Sequence, residues 1–375
     1  MARASWFRRT LLPGIVFQSA VIAGGYGTGR EIVEFFLSLG PVPGLLAMAV
    51  ATAVWSAVGA ATFEFARRFQ TFEYRGFFRR LLGPAWILFE TAYLLLLLLV
   101  LAVIGAAAGE IVSETFGLPY VTGVLGAMMA VGVLIFYGSE TIERVLTVWS
   151  FVLYAVYVVL LVWSLGRFGP QVSEALAASP AGGPWLVSGV KYAGYNLASG
   201  AVVLFTVRHL KTRRDAVSAG LLLGVIGILP GLFFYLAMVG HYPEIVGESV
   251  PANYLLERLG SRPFQIVFQV VLFGTLIETG AGMIHAVNER LAATRREVGT
   301  ELPAWVRPVV STALLGLALA LTPLGLVDLI ARGYGTITWA FVLLYVLPVL
   351  TLGVWRVRRR AGGSEPVPEA TGRRT

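Results

Sequence analysis

Apolar residues run almost without pause along this chain, and polar residues fall in short clusters between them. A bilayer-crossing helix needs about 20 predominantly apolar residues. Windows of that kind predict ten helices, at about 10–38, 43–67, 84–110, 119–137, 145–166, 186–208, 216–240, 263–289, 304–322 and 325–355. The interruptions carry turn residues: Gly40-Pro41-Val42-Pro43, Gly83-Pro84, Gly117-Leu118-Pro119, Pro180 to Pro184, Pro303 and Thr322-Pro323. Residues 70–80 mix aromatics with arginines and predict an interfacial segment. Residues 251–259 predict a short outer-loop helix able to cover a cavity.

The basic residues orient this pattern. With a cytoplasmic N-terminus, 23 arginines and lysines fall in cytoplasmic segments and only Arg167, Arg258 and Arg262 fall outside. Arg30, Lys191 and Arg332 lie within spans. That bias is a positive-inside signal, and it places both termini on the cytoplasmic side of the cell (plasma) membrane. The first 25 residues share features of a secretory signal, but cleavage would remove helix 1 and spoil the orientation.

Composition agrees. Of 375 residues, 57% are hydrophobic and 13% charged, against roughly 25% charged in soluble chains. The mean hydropathy is +0.77. The net charge of +8 is accounted for by cytoplasmic loops and calls for no nucleic acid. Zero cysteines exclude disulfides and thiolate metal sites, and the three scattered histidines, His209, His241 and His285, make no metal cluster. The fold expectation is an all-α polytopic membrane protein. It comprises a five-helix repeat over 1–166, an outer loop over 167–185, a second, inverted repeat over 186–356 and a disordered tail over 357–375.

Two helices are interrupted near their middles. Helix 1 contains Gly24, Gly25, Gly27 and Gly29 within six residues, each costing about 1 kcal/mol of helix propensity relative to alanine. Close packing through small residues explains glycines, but not Arg30, Glu31 and Glu34 immediately after them. Irregular backbone at membrane depth belongs where it is buried in protein or lines a cavity. Helix 6, which opens the second half, carries Lys191-Tyr192-Ala193-Gly194-Tyr195-Asn196-Leu197-Ala198-Ser199-Gly200. Asn196 and Ser199 either mark a second break or glue neighbouring helices. One broken helix at the head of each half is the pattern of an inverted-repeat transporter with its site at the midplane.

The stretch Gly24-Gly25-Tyr26-Gly27-Thr28-Gly29-Arg30-Glu31-Ile32, followed by Phe35-Phe36, resembles the GAGFASGQEI…FF start of the YkvI-like membrane proteins. That group is placed among amino-acid permeases of the amino acid–polyamine–cation superfamily. The resemblance extends to Glu278-Thr279-Gly280-Ala281-Gly282 and Asn288-Glu289-Arg290. It implies a LeuT-like fold of five plus five helices with discontinuous helices 1 and 6. In such transporters a cation sits between helix 1 carbonyls and helix 8 hydroxyls, which here implies Ala23, Thr275, Glu278 and Thr279. An arginine past the helix 1 break pairs there with a helix 10 acid, which implies an outer gate of Arg30 and Asp328.

The residues themselves leave alternatives. Asp328 has Arg332 at i+4 and forms either the gate or a local pair. Glu278 serves as a coupling carboxylate for Na⁺ or H⁺, or pairs with Arg30 or Lys191. Glu31 is favoured at a helix N-terminus as a cap. Lys191 snorkels or couples, and His285 relays protons or bonds a neighbouring helix. N–H groups from Gly24 to Gly29, beside Tyr26 and Thr28, suit a substrate carboxylate, and Tyr195, Asn196 and Ser199 complete the pocket.

The expected function is cation-coupled secondary transport of an amino acid or related small amine by alternating access. A ligand sensor on the same fold is the alternative. The chain carries no P-loop and no hydrolase or metalloprotease motif, so neither ATP-driven transport nor enzyme chemistry is expected, and no cofactor beyond a coupling ion.

Overall fold

The computed structural model describes residues 6–22, 24–136, 139–297 and 299–361. Every secondary-structure element among those residues is a helix. The chain begins with α1 (Trp6–Thr10), α2 (Leu12–Val21), α3 (Gly24–Gly27) and α4 (Arg30–Phe35). Helices α5 (Pro41–Phe69), α6 (Tyr74–Leu82), α7 (Trp86–Phe116), α8 (Tyr120–Phe136) and α9 (Ser139–Ala178) complete the first half. Then come α10 (Trp185–Asn196), a 3₁₀ segment Leu197–His209, α11 (Arg213–Val239), α12 (Pro251–Leu259), α13 (Arg262–Glu297) and α14 (Val306–Leu321). The last span strings α15 (Leu326–Asp328), α16 (Gly335–Phe341) and α17 (Val354–Ala361) together through π-helical turns at Leu329–Tyr334, Val342–Val346 and Val349–Gly353.

Seven helical runs among the described residues are long and apolar enough to cross a membrane. The other three expected spans fall short as continuous α-helix for local reasons. Helix 1 is broken, α8 has 17 residues, and α10 passes into 3₁₀ geometry.

Small residues bring the helices together. A Cβ on Gly220 of α11 would lie 2.2 Å from the Ala60 nitrogen of α5, and one on Gly59 would lie 2.8 Å from the Gly220 oxygen. Ser56 donates to the Leu221 carbonyl at 2.7 Å across the same seam. In a bilayer, where lipid is as apolar as leucine, such close backbone packing is a main source of helix association. Trp55 of α5 reaches the other way and donates to the Ala193 carbonyl of α10 at 3.2 Å. Thus α5 clasps α11 on one side and α10 on the other.

Two boundaries differ from the sequence reading. Helix α9 runs on through Pro170 to Ala178, across nearly two thirds of the expected outer loop. Proline removes one helical hydrogen bond, and the helix formers Glu174 to Ala178 carry the helix past it. The expected tail begins as helix, since α17 reaches Ala361; the rest of that tail lies outside the described residues. Short helices do form over the two segments singled out at 70–80 and 251–259, as α6 and α12. A capping box of Thr212 and Asp215 starts α11.

Candidate functional site

The glycine cluster breaks helix 1 as its composition requires. α2 ends at Val21, a single turn follows at Gly24–Gly27, and Gly29 adopts φ +81° before α4 begins. That left-handed conformation suits glycine alone among common residues. A Cβ at Gly29 would also press on Phe234 and Met238 of α11. The break is held from three sides. Thr28 Oγ1 donates to the Gly25 carbonyl at 2.9 Å, Tyr157 donates to the Gly27 carbonyl at 3.1 Å, and the Ala252 N–H of α12 donates to the Thr28 carbonyl at 2.9 Å.

The break does not hold a row of free donors. The Gly29 N–H goes to the Tyr26 carbonyl and the Arg30 N–H to Thr28 Oγ1. The Tyr26 N–H faces the chain's own carboxylate, that of Glu31. Glu31 is 2% exposed, and a Cβ on Gly25 would lie 2.3 Å from its Oε1. Only glycine leaves room for the carboxylate there. Of the stretch expected to offer N–H groups to a substrate carboxylate, Tyr26 and Gly29 direct theirs to partners within the chain.

Glu31 joins the two interrupted helices. Tyr195, at the end of α10, donates to Glu31 Oε2 at 2.5 Å. Tyr195 stacks on Tyr334 with centroids 4.7 Å apart, and Phe35 and Tyr192 pack against it. One residue further, at Asn196, α10 gives way to the 3₁₀ segment. Asn196 is buried and donates to the Tyr192 carbonyl of its own helix at 3.0 Å. The hydroxyls of Tyr26 and Tyr192 are buried without a partner among the described residues. Tyr192, Tyr157 and Tyr334 were not singled out by the sequence as site residues. Ala23 lies outside the described residues, as does the side chain of Ser199.

Arg30 and Asp328 do not form the expected pair. The Arg30 guanidinium donates to the Val246 carbonyl at 2.9 Å, the Glu248 carbonyl at 3.0 Å and Glu34 Oε2 at 2.8 Å. Asp328 bonds Arg332 at 3.2 Å on the exposed surface. The i+4 partner wins because it is already within reach on the same helix. Arg30 instead ties the break to the segment that precedes α12.

Glu278 sits away from the break. Leu272 of α13 meets Gly27, and six residues at 1.5 Å each place Glu278 about 9 Å further along that helix. It lies near Tyr154, whose hydroxyl is 3.4 Å from Ser19 Oγ and 3.5 Å from Gln18 Oε1. These groups form a polar cluster beside α2. Among the described residues Glu278 pairs with neither Arg30 nor Lys191. Thr275 is buried and donates to the Val271 carbonyl at 3.0 Å, and Thr279 is half-buried. The Lys191 carbonyl accepts from Thr338 at 2.6 Å.

No family model matches the chain. The uncharacterized membrane protein YkvI of Bacillus subtilis (strain 168) is 22% identical over 279 residues, 74% of this chain and 79% of that protein. Solved structures share the fold at low identity. MhsT, solved in complex with L-phenylalanine, superposes with a TM-score of 0.57 at 14% identity, over 95% of this chain and 98% of that one. Mhp1, a nucleobase-cation-symport-1 family transporter with bromovinylhydantoin bound, gives 0.53 at 18% identity over 95% and 92%. The Eremococcus coleocola manganese transporter gives 0.52 at 15% identity over 98% and 91%. The chain is a membrane protein with the fold of these transporters, and the resemblance to YkvI-like proteins read from its first helix is borne out.

Proposed function

We propose that the protein is a cation-coupled secondary transporter of an amino acid or related small amine, working by alternating access. The observation that carries the reading is the buried contact between Glu31 and Tyr195, which joins the helix 1 break to the end of α10 inside a transporter fold. On this reading the chain has ten spans in two inverted sets of five, and both termini are cytoplasmic in the plasma membrane. The broken helix 1, α8 and α10 with its 3₁₀ continuation supply the three spans beyond the seven continuous ones.

Substrate binds between Gly25–Gly29 and Tyr195–Asn196. The coupling ion, Na⁺ or H⁺, is taken by Glu278 with Thr275 and Thr279 as neighbours, beside the polar groups of Gln18, Ser19 and Tyr154. Opening toward the outside lifts α12 from Thr28 and releases Arg30 from the Val246–Glu248 segment. The test is counterflow in liposomes. Labelled substrate accumulates against unlabelled substrate if the protein is a carrier, and the accumulation depends on Na⁺ or on pH. Binding without exchange overturns the transporter reading and leaves a ligand sensor.

A further inference from the structure

A substrate with its own carboxylate meets an occupied seat at the helix 1 break. The Tyr26 N–H, next to Gly25, faces Glu31, and the N–H groups of Gly29 and Arg30 bond within the break. Among the described residues no basic side chain neutralises Glu31. Arg30, its neighbour in sequence, turns outward to Val246, Glu248 and Glu34. Tyr195, the donor to Glu31, is itself packed among aromatic rings, those of Tyr334, Tyr192 and Phe35. Tyr26 and Tyr192 each have a buried hydroxyl without a partner among the described residues.

An uncompensated carboxylate held at the edge of an aromatic cluster is chemistry that suits an organic ammonium ion. The carboxylate accepts the N–H bonds, and ring faces within about 6 Å add cation–π attraction. A second carboxylate brought beside Glu31 would be repelled at short range in a medium of low dielectric. A divalent metal ion takes several carboxylate, carbonyl or water oxygens, whereas the unpartnered oxygens named here are the neutral hydroxyls of Tyr26 and Tyr192.

The approach from α12 carries the same sign. Asn253 of α12 donates to Glu114 at 3.2 Å and to Glu257 at 3.4 Å, and Glu110 and Glu248 lie near Glu114. This acidic wall is one layer from the break, because Ala252, next to Asn253, bonds Thr28. Arg30, Arg258 of α12 and Arg262, which donates to the Thr115 carbonyl, offset part of that charge, and the four carboxylates leave a small negative excess that favours cations.

We infer that the substrate is an organic amine cation without a carboxylate, and that Glu31 is the anion that receives its ammonium group. The inference rests on the transporter reading for the location of the site, and narrows the substrate class within it.

The experiment uses the full-length protein in nanodiscs and matched ligand pairs that differ only by a carboxylate: phenethylamine with phenylalanine, tryptamine with tryptophan, histamine with histidine, agmatine with arginine. Affinity is read by calorimetry and thermal shift. At least one amine is expected to bind tenfold or more tighter than its amino acid, and Glu31→Gln is expected to weaken it at least tenfold. Tyr195→Phe, which keeps the ring and the carboxylate, is expected to retain the preference for the amine. An amino acid that binds more tightly than its amine overturns the inference, as does manganese alone binding more tightly than every amine. Failure of every pair to bind overturns it too. If Glu31→Gln does not fold, the paired comparison in the unaltered protein still decides. Liposome counterflow with the better ligand of each pair separates the two readings. Amine binding without exchange leaves the amine site standing and removes transport; amino-acid exchange does the reverse.

Discussion

Arg30 is the latch that holds α12 over the break, and its removal has a calculable effect. The guanidinium is 5% exposed and makes two hydrogen bonds to the carbonyls of Val246 and Glu248, besides its bond to Glu34. A hydrogen bond involving a charged group contributes about 1.5–3 kcal/mol. Arg30→Ala therefore removes a gross contribution of about 3–6 kcal/mol from the docking of the 246–248 segment. Rehydration of the freed carbonyls and of Glu34 offsets part of this. A net change of about 2–3 kcal/mol raises the lifted population about 30- to 150-fold. The chain has no cysteine, so Ala252→Cys, buried at the contact with Thr28, reports lifting through its rate of maleimide labelling in nanodiscs. Arg30→Ala is expected to speed labelling by that factor. Arg30→Lys is expected to fall between, because lysine has no planar fork to span two carbonyls and a carboxylate. Asp328→Asn is expected to change nothing, since its exposed pair with Arg332 contributes at most about 1 kcal/mol. Equal labelling rates with and without Arg30 would refute the latch.

Three further outcomes are expected. Glu278→Gln removes the Na⁺ or pH dependence of ligand affinity while the protein stays folded; a titration of affinity against each ion that retains its slope removes Glu278 from coupling. Gly220→Ala lowers thermal stability by about 1–3 kcal/mol through overpacking of α5 on α11, whereas Gly126→Ala, which faces open space, changes it by less than about 0.5 kcal/mol; similar melting curves would show that the seam has slack. His241 follows α11, beyond the membrane-spanning helix, and burial, reinforced by Arg258 and opposed by Glu244, pushes its imidazole below the ordinary value. The unfolded chain then takes up the proton first, so its contribution to stability is present above about pH 6.5 and declines as pH falls through that value. Melting temperatures across that range should drop less in His241→Gln than in the parent protein, and parallel curves would count against the assignment.

What the sequence discloses here is what short-range chemistry decides. Four closely spaced glycines followed by charge cannot continue a membrane helix, and helix 1 breaks there. A proline at the first position and an amphipathic run predict α12, and it forms. The end of α9 escapes because the apolar run fades after residue 166 while the helix formers Glu174 to Ala178 carry the helix past Pro170. The pairings escape for a different reason. Arg30 chooses carbonyls more than 200 positions away, and no local pattern ranks them above Asp328. Glu31 reads as a helix cap because caps are local, yet its partner is Tyr195, 164 positions on. A signal was present. A carboxylate forced into an apolar span must find donors, and the tyrosine in the other interrupted helix is the nearest kind of residue able to donate without bringing a charge. That logic also fixes the sign of the site. Had Arg30 turned inward, the break would be neutral and would suit a zwitterion. Its capture by Val246, Glu248 and Glu34 leaves Glu31 as the charge a ligand must answer.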